Sequence, residues 1–180
     1  MSEKPSSQRK ILIMGLDNAG KTSILLSLVG KKNLLTYFSL RPTEGLNIEN
    51  VKLMDTTFSL WDFGGQDIYR KQYLDDFSDK IEGSDKLIYV IDVQDDQRFQ
   101  TALDYLEKVI EKLVKNKYFD IDISVFLHKY DPDIKSRNLT FSEEKVGALV
   151  EQIKDVITSN FDFRLFKTTI YTTFDKTPIF

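Results

Sequence analysis

The chain has 180 residues, 41% hydrophobic and 29% charged, with a net charge of −3. That is the size of one domain with a sizeable core, and it leaves no basic footprint for nucleic acid or an anionic membrane. There is no cysteine, which excludes disulfides, thiolate metal sites, palmitoylation and C-terminal prenylation.

Residues 1–9, MSEKPSSQR, read as a disordered polar tail without an apolar signal segment, and Ser2 predicts no N-myristoylation. No apolar run approaches the ~20 residues that span a bilayer. The sequence therefore predicts a cytoplasmic protein with no direct membrane anchor, recruited to membranes only through partners. The remainder, residues 10–180, reads as one unit. It opens with a strand over 10–15 (KILIMG) and a helix over 21–29. ENVKLMDTTF (49–58) predicts a hairpin turning at Asp55, continuing into a strand at 58–63. Strands follow at 86–93, 123–131 and 165–171. Between them, residues 96–117 carry Ala102, Leu103, Leu106, Val109, Ile110 and Leu113 at helical spacing, and Ser142 starts a helix running to 160. Such alternation predicts an α/β fold: a doubly wound, mostly parallel sheet of about six strands with one antiparallel edge strand and about five helices.

In such a sheet ligands sit beyond the carboxyl ends of the strands, and each strand is followed by a candidate motif. GLDNAGKT (15–22) fits G-x-x-x-x-G-K-[ST], in which backbone N–H groups of a loop wrap phosphates, the lysine reaches the terminal phosphates and the hydroxyl ligates Mg²⁺. Asp17, Asn18, Ala19, Gly20, Lys21, Thr22 and Ser23 form this cradle. WDFGGQ (61–66) places Asp62 at a strand end on the Mg²⁺ shell. Gly65 would offer its N–H to a γ-phosphate, and Gln66 would orient the attacking water. Thr43 would close onto Mg²⁺ and the γ-phosphate. The predicted catalytic set is thus Lys21, Thr43 and Gln66, and the predicted metal set is Thr22, Thr43 and Asp62. Arg41 is long enough to reach phosphates, although a loop arginine is usually just solvated.

After ISVFL comes His128-Lys129-Tyr130-Asp131. A carboxylate there accepts from both N1–H and the 2-amino group of guanine, two donors that adenine lacks. His128, the only histidine, can bond base N7 or tie down the phosphate loop. Its ordinary pKa of ~6.5 predicts pH-dependent nucleotide release at about pH 5.5–8. Thr168, Thr169 and Ile170 would present a backbone N–H to the base.

Together these residues resemble the Ras-like small GTPase superfamily over residues 11–171. GLDNAGKTS, PTEGLNIENV and WDFGGQ resemble the Arf branch, while YVIDVQDD, VFLHKYD and TTIY resemble the Rag/Gtr branch, particularly Rag C-type proteins, whose base motif carries His where most relatives have Asn. The base motif weighs toward Rag/Gtr, with Arf-like as the alternative. The resemblance implies a guanine-nucleotide switch with slow GTP hydrolysis, GTP or GDP and Mg²⁺ as cofactors, effector, exchange and activating proteins as partners, and a heterodimer with a second GTPase. In it His128 takes the usual Asn role, and Lys129 and Asp131 hold guanine. The myristoylated amphipathic N-terminus of Arf proteins and the dimerisation domain of Rag proteins have no counterpart in these residues. Residues 172–180 are expected to be too few for the family's closing helix. A nucleotide-loaded scaffold that does not hydrolyse is a further alternative, and an ATP-using kinase is disfavoured by Asp131.

Overall fold

The computed structural model describes residues 7–30, 37 and 39–171. Six strands form one sheet: β1 Ser7–Gly15, β2 Leu46–Leu53, β3 Thr56–Phe63, β4 Lys86–Asp92, β5 Asp122–His128 and β6 Phe163–Lys167, in the order β2-β3-β1-β4-β5-β6. Only β2 runs antiparallel, paired to β3 from Leu46↔Phe63 to Leu53↔Thr56. The hairpin turns through Met54 and Asp55, with Met54 in a left-handed conformation at φ 53°. This is the predicted sheet.

The α-helices among the described residues are α1 Lys21–Leu28, α2 Asp67–Asp75, α3 Phe77–Ile81, α4 Phe99–Lys115, α5 Ile134–Arg137 and α6 Glu143–Ile157, with a 3-10 turn at Asp96–Arg98 before α4. Every apolar position expected on the 96–117 helix is buried, Leu106, Val109 and Leu113 completely, each such side chain contributing about 1.5–3 kcal/mol by leaving water. Ser142 caps α6, its hydroxyl accepting from the Lys145 N–H at 3.3 Å. That satisfies one of the donors a helix start leaves free. The short helices α3 and α5 carry too few apolar positions to show a period.

Burial follows position. β4 is covered on both faces, as parallel strands flanked by helices must be, whereas the edge strands β2 and β6 stay largely exposed. One core cluster packs α2, α3, α4 and α6 against one sheet face, and a smaller one packs α1 against the other.

Two expectations change. Ser7–Arg9 belong to β1 rather than to a polar tail, because they pair with Thr56–Phe58 of β3. The last strand stops at Lys167, and Thr168–Tyr171 form a loop that folds back onto the 128–131 segment instead of continuing the ladder. The expectation about residues 172–180 lies outside the described residues, as does that for residues 1–6.

Candidate functional site

The carboxyl ends of β1, β3, β4 and β5 converge on one cavity and an adjoining shelf. The cavity, about 240 Å³, is lined by Asp17, Asn18, Gly20, Lys21, Thr22 and Ser23 from the loop after β1, by residues 40–43, and by Gly65. The loop is held open by backbone geometry that favours glycine: Gly20 has φ +90°, and Gly15 lies so close to β4 that a Cβ would stand 2.2 Å from the Val90 carbonyl oxygen.

Lys21 is 5% exposed, and its ammonium donates to the Leu16 carbonyl at 2.7 Å. Burial drives its pKa down from 10.5 to about 8, against the opposing pull of Asp62 and Asp17. Thr22 Oγ1 donates to Asp62 Oδ2 at 2.6 Å, Thr43 Oγ1 donates to the same oxygen at 3.0 Å, and the two hydroxyls lie 2.9 Å apart. The three predicted metal residues, drawn from α1, the following loop and β3, are thus in mutual contact. Asp62 is fully buried, and its Oδ1 has no hydrogen-bond partner. Desolvation raises its pKa in spite of the two hydroxyls and Lys21.

Gly65 is clamped to the loop: its carbonyl accepts from the Asp17 N–H at 3.1 Å, and a Cβ would lie 2.1 Å from that nitrogen. Gln66 begins α2 with extended backbone, its carbonyl accepting from the N–H groups of Tyr69 and Arg70. It is not among the residues lining the cavity, so Lys21 and Thr43 of the predicted catalytic set meet there and Gln66 does not. Arg41 does line it.

On the shelf, His128 is 3% exposed, its Nδ1 2.9 Å from Thr168 Oγ1 and its ring against Gly20. Burial, then the charge of Lys129, holds its pKa down at about 4. The expected titration near neutrality is therefore corrected: the imidazole is neutral throughout pH 5.5–8. Lys129, at φ 61°, pairs through Nζ with Asp92 at 2.6 Å. Asp131 accepts from Thr169 Oγ1 at 2.5 Å and from Gln94 Nε2 at 2.8 Å. Ile170 lies beside Thr169 and is 38% exposed.

Sequence reasoning missed three residues of this arrangement. Asp92 and Gln94 lie in the IDVQDD run at the end of β4, which carried a family resemblance but no sign of a role in the site. Arg98 ties Asp17 to Asp95, with 3.1 Å to Asp17 Oδ1 and 2.5 Å to Asp95 Oδ2, and was hidden inside a predicted helix. Thr168 was expected beside the base, but its contact with His128 was not.

A glycine-containing loop presenting a buried lysine, a buried acidic strand end and the 128–131 segment lie together at the C-terminal edge of this sheet, the arrangement expected of a small GTPase G domain. A sequence model of the ADP-ribosylation factor family, Arf, matches residues 1–171, and the chain belongs to that family. It is a GTP-hydrolysing molecular switch of the Arf type. Its fold is similar to that of the Arl6 BBS3 small GTPase from Trypanosoma brucei, solved with the nucleotide analogue GppNp, with a TM-score of 0.69 at 18% identity, covering 91% of this chain and 87% of that one. The Rag/Gtr branch is not supported, and the Arf-like alternative is the better reading. The weight placed on the His128 base motif is overturned by the family match, which covers the phosphate loop and the switch motifs as well.

Among the described residues, no helix is long and apolar enough to cross a membrane.

Proposed function

We propose that the cavity takes the phosphates of GTP or GDP and that the shelf takes the guanine. One observation carries this reading: Thr22, Thr43 and Asp62, up to 40 positions apart in the chain, form a single hydrogen-bonded cluster beside the buried Lys21. A lysine forced out of water and a carboxylate with a free buried oxygen are each costly unless a ligand completes them. Phosphate does so for Lys21.

The same cluster suits Mg²⁺. Two hydroxyls and one carboxylate form an oxygen-only set with few protein ligands, as suits an ion that keeps waters and takes phosphate oxygens. When bound, Mg²⁺ neutralises phosphate charge. Thr22, Thr43 and Asp62 are the residues that would hold it. Asp131 would accept from N1–H and the 2-amino group of guanine, with Lys129, His128, Thr169 and Ile170 framing the base. Gln66 would orient the attacking water, and its place outside the cavity lining fits slow hydrolysis that an activating protein accelerates. Effectors and exchange proteins would act on the segments that carry Thr43 and Gln66, in the cytoplasm or on membranes reached through partners.

The purified protein, denatured, should release GDP or GTP on chromatography. Release of adenine nucleotide would overturn the base assignment, and so would failure of both guanine nucleotides to bind after stripping and reloading.

A further inference from the structure

Gln94 lies two residues beyond the end of β4 and is half-buried. Its Nε2 donates to the Lys129 carbonyl at 2.7 Å and to Asp131 Oδ2 at 2.8 Å. Both partners are pure acceptors, so only one orientation of the amide satisfies them, and its two N–H bonds are fully used. The Gln94 backbone N–H donates to Asp92 Oδ1 at 2.9 Å, and Asp92 Oδ2 pairs with Lys129 Nζ at 2.6 Å. One residue therefore touches all three members of the base segment's charged network. Lys129 needs such support, since its φ of 61° is a left-handed conformation that a non-glycine residue adopts at a cost.

The geometry around Asp131 has a direction. Thr169 Oγ1 holds Oδ1 and Gln94 holds Oδ2, one donor on each oxygen. A carboxylate gripped at both ends cannot rotate about its Cβ–Cγ bond, and each oxygen keeps a lone pair free for a further donor. Recognition of guanine by N1–H and the 2-amino group requires such a fixed plane, because two parallel bonds form only if both oxygens face the base together. We propose that Gln94 is a positioning residue for guanine selection, setting the plane of Asp131 and the backbone of Lys129 without itself touching the nucleotide. This inference rests on the reading of Asp131 as the base acceptor.

Inosine diphosphate lacks only the 2-amino group, so the ratio of GDP to IDP affinity reads the second of the two parallel bonds. Gln94→Met keeps the side chain's length and removes its donors. A merely structural loss would lower both affinities together, whereas a carboxylate freed to rotate lowers the ratio. The ratio is expected to fall by about tenfold, the usual worth of a bond to a charged group. Gln94→Glu, which sets a carboxylate against Asp131 and the Lys129 carbonyl, is expected to lower it at least as far and serves if the Met variant does not fold. Asp131→Asn, measured alongside, should lose preference for GDP and gain xanthosine diphosphate, whose 2-carbonyl accepts from the new amide. An unchanged ratio in the Gln94 variants with a lost one in Asp131→Asn overturns the role of Gln94 alone. An unchanged ratio in Asp131→Asn overturns the reading of Asp131 and this inference with it.

Discussion

The imidazole of His128 stands where a side chain on Gly20 would begin: a Cβ there would lie 2.4 Å from Cδ2 and 2.7 Å from Nε2 of the ring. Two obstacles therefore meet in Gly20→Ala, the ring and the φ of +90°. The backbone part costs about 1–2 kcal/mol and survives any change at position 128. The ring part does not survive, so Gly20→Ala/His128→Ala should be more stable than the sum of the single changes predicts, with a coupling of about 0.5–3 kcal/mol. Urea denaturation of the four proteins measures it, and strict additivity would show that ring and loop do not press on each other.

His128 also sets a pH dependence of stability. Its folded pKa of about 4 lies below the ordinary 6.5, so the fold favours the neutral ring. The stability this contributes is fully present above about pH 6.5, falls as the unfolded chain begins to take up a proton, and is gone below the folded value. In that window the slope for one proton approaches ~1.4 kcal/mol per pH unit. His128→Asn should flatten the pH dependence of unfolding between about pH 6.5 and 4, with little change in GDP release between pH 5.5 and 8. A parent and variant with parallel stability profiles would place the ring in solvent.

How far this was legible depends on where each signal sits. The phosphate loop, WDFGGQ and HKYD are contiguous, and contiguity is what sequence shows: Lys21, Thr22 and Asp62 come together because a strand end and a tight turn leave little freedom, whereas Gln66, one residue past the turn, stays outside the cavity lining. The sheet was legible because β4 and β5 are apolar on both faces and α4 keeps its period. Asp92, Gln94 and Arg98 act across 35 to 81 positions, and no local pattern announces a side chain whose partner is that far away. The pKa of His128 was misjudged for a similar reason, since residue type gives the ordinary value and only packing gives the burial that lowers it.

Gln66 should act on the rate of hydrolysis and little else. It caps α2 outside the cavity lining, so it contributes nothing to ground-state binding, and a group used only in the transition state alters kcat without altering affinity. Gln66→Leu is expected to slow single-turnover GTP hydrolysis by about tenfold or more while leaving GTP affinity within about twofold. Arg41, which does line the cavity, provides the contrast, because loss of its charge should weaken affinity before rate. An unaltered hydrolysis rate in Gln66→Leu would remove it from the mechanism.

Chelation should expose the cluster of Thr22, Thr43 and Asp62. With EDTA present, the buried Asp62 and the nucleotide phosphates would repel each other without compensation, and GDP should leave about tenfold faster or more. Thr22→Ala should already release GDP fast and respond weakly to EDTA, because the hydroxyl it removes lies 2.6 Å from Asp62 Oδ2. Stopped-flow release of a fluorescent GDP compares the two, and an equal EDTA response in both would place the metal elsewhere.

Lys21 opposes the fold that presents it. Its pKa is lowered from 10.5 to about 8 by burial, so the charged form is the one the folded state resists. Stability without nucleotide should rise as pH climbs from about 8 toward 10.5 and sit at its floor below 8, where the ammonium is charged in both states. Lys21→Met keeps the stem and removes the charge, relieving a cost of ~3 kcal/mol at one pKa unit per ~1.4 kcal/mol. It also loses the bond to the Leu16 carbonyl, worth ~1 kcal/mol, although that oxygen retains the Ala19 N–H at 3.4 Å. The nucleotide-stripped variant should therefore be more stable than the parent at pH 7, by about 2 kcal/mol. GDP would reverse the order, since ligand stabilises only the protein that binds it. Denaturation with and without GDP tests both halves. A stripped Lys21→Met protein less stable than the parent would show that the buried ammonium is held by its neighbours rather than stored for the phosphates.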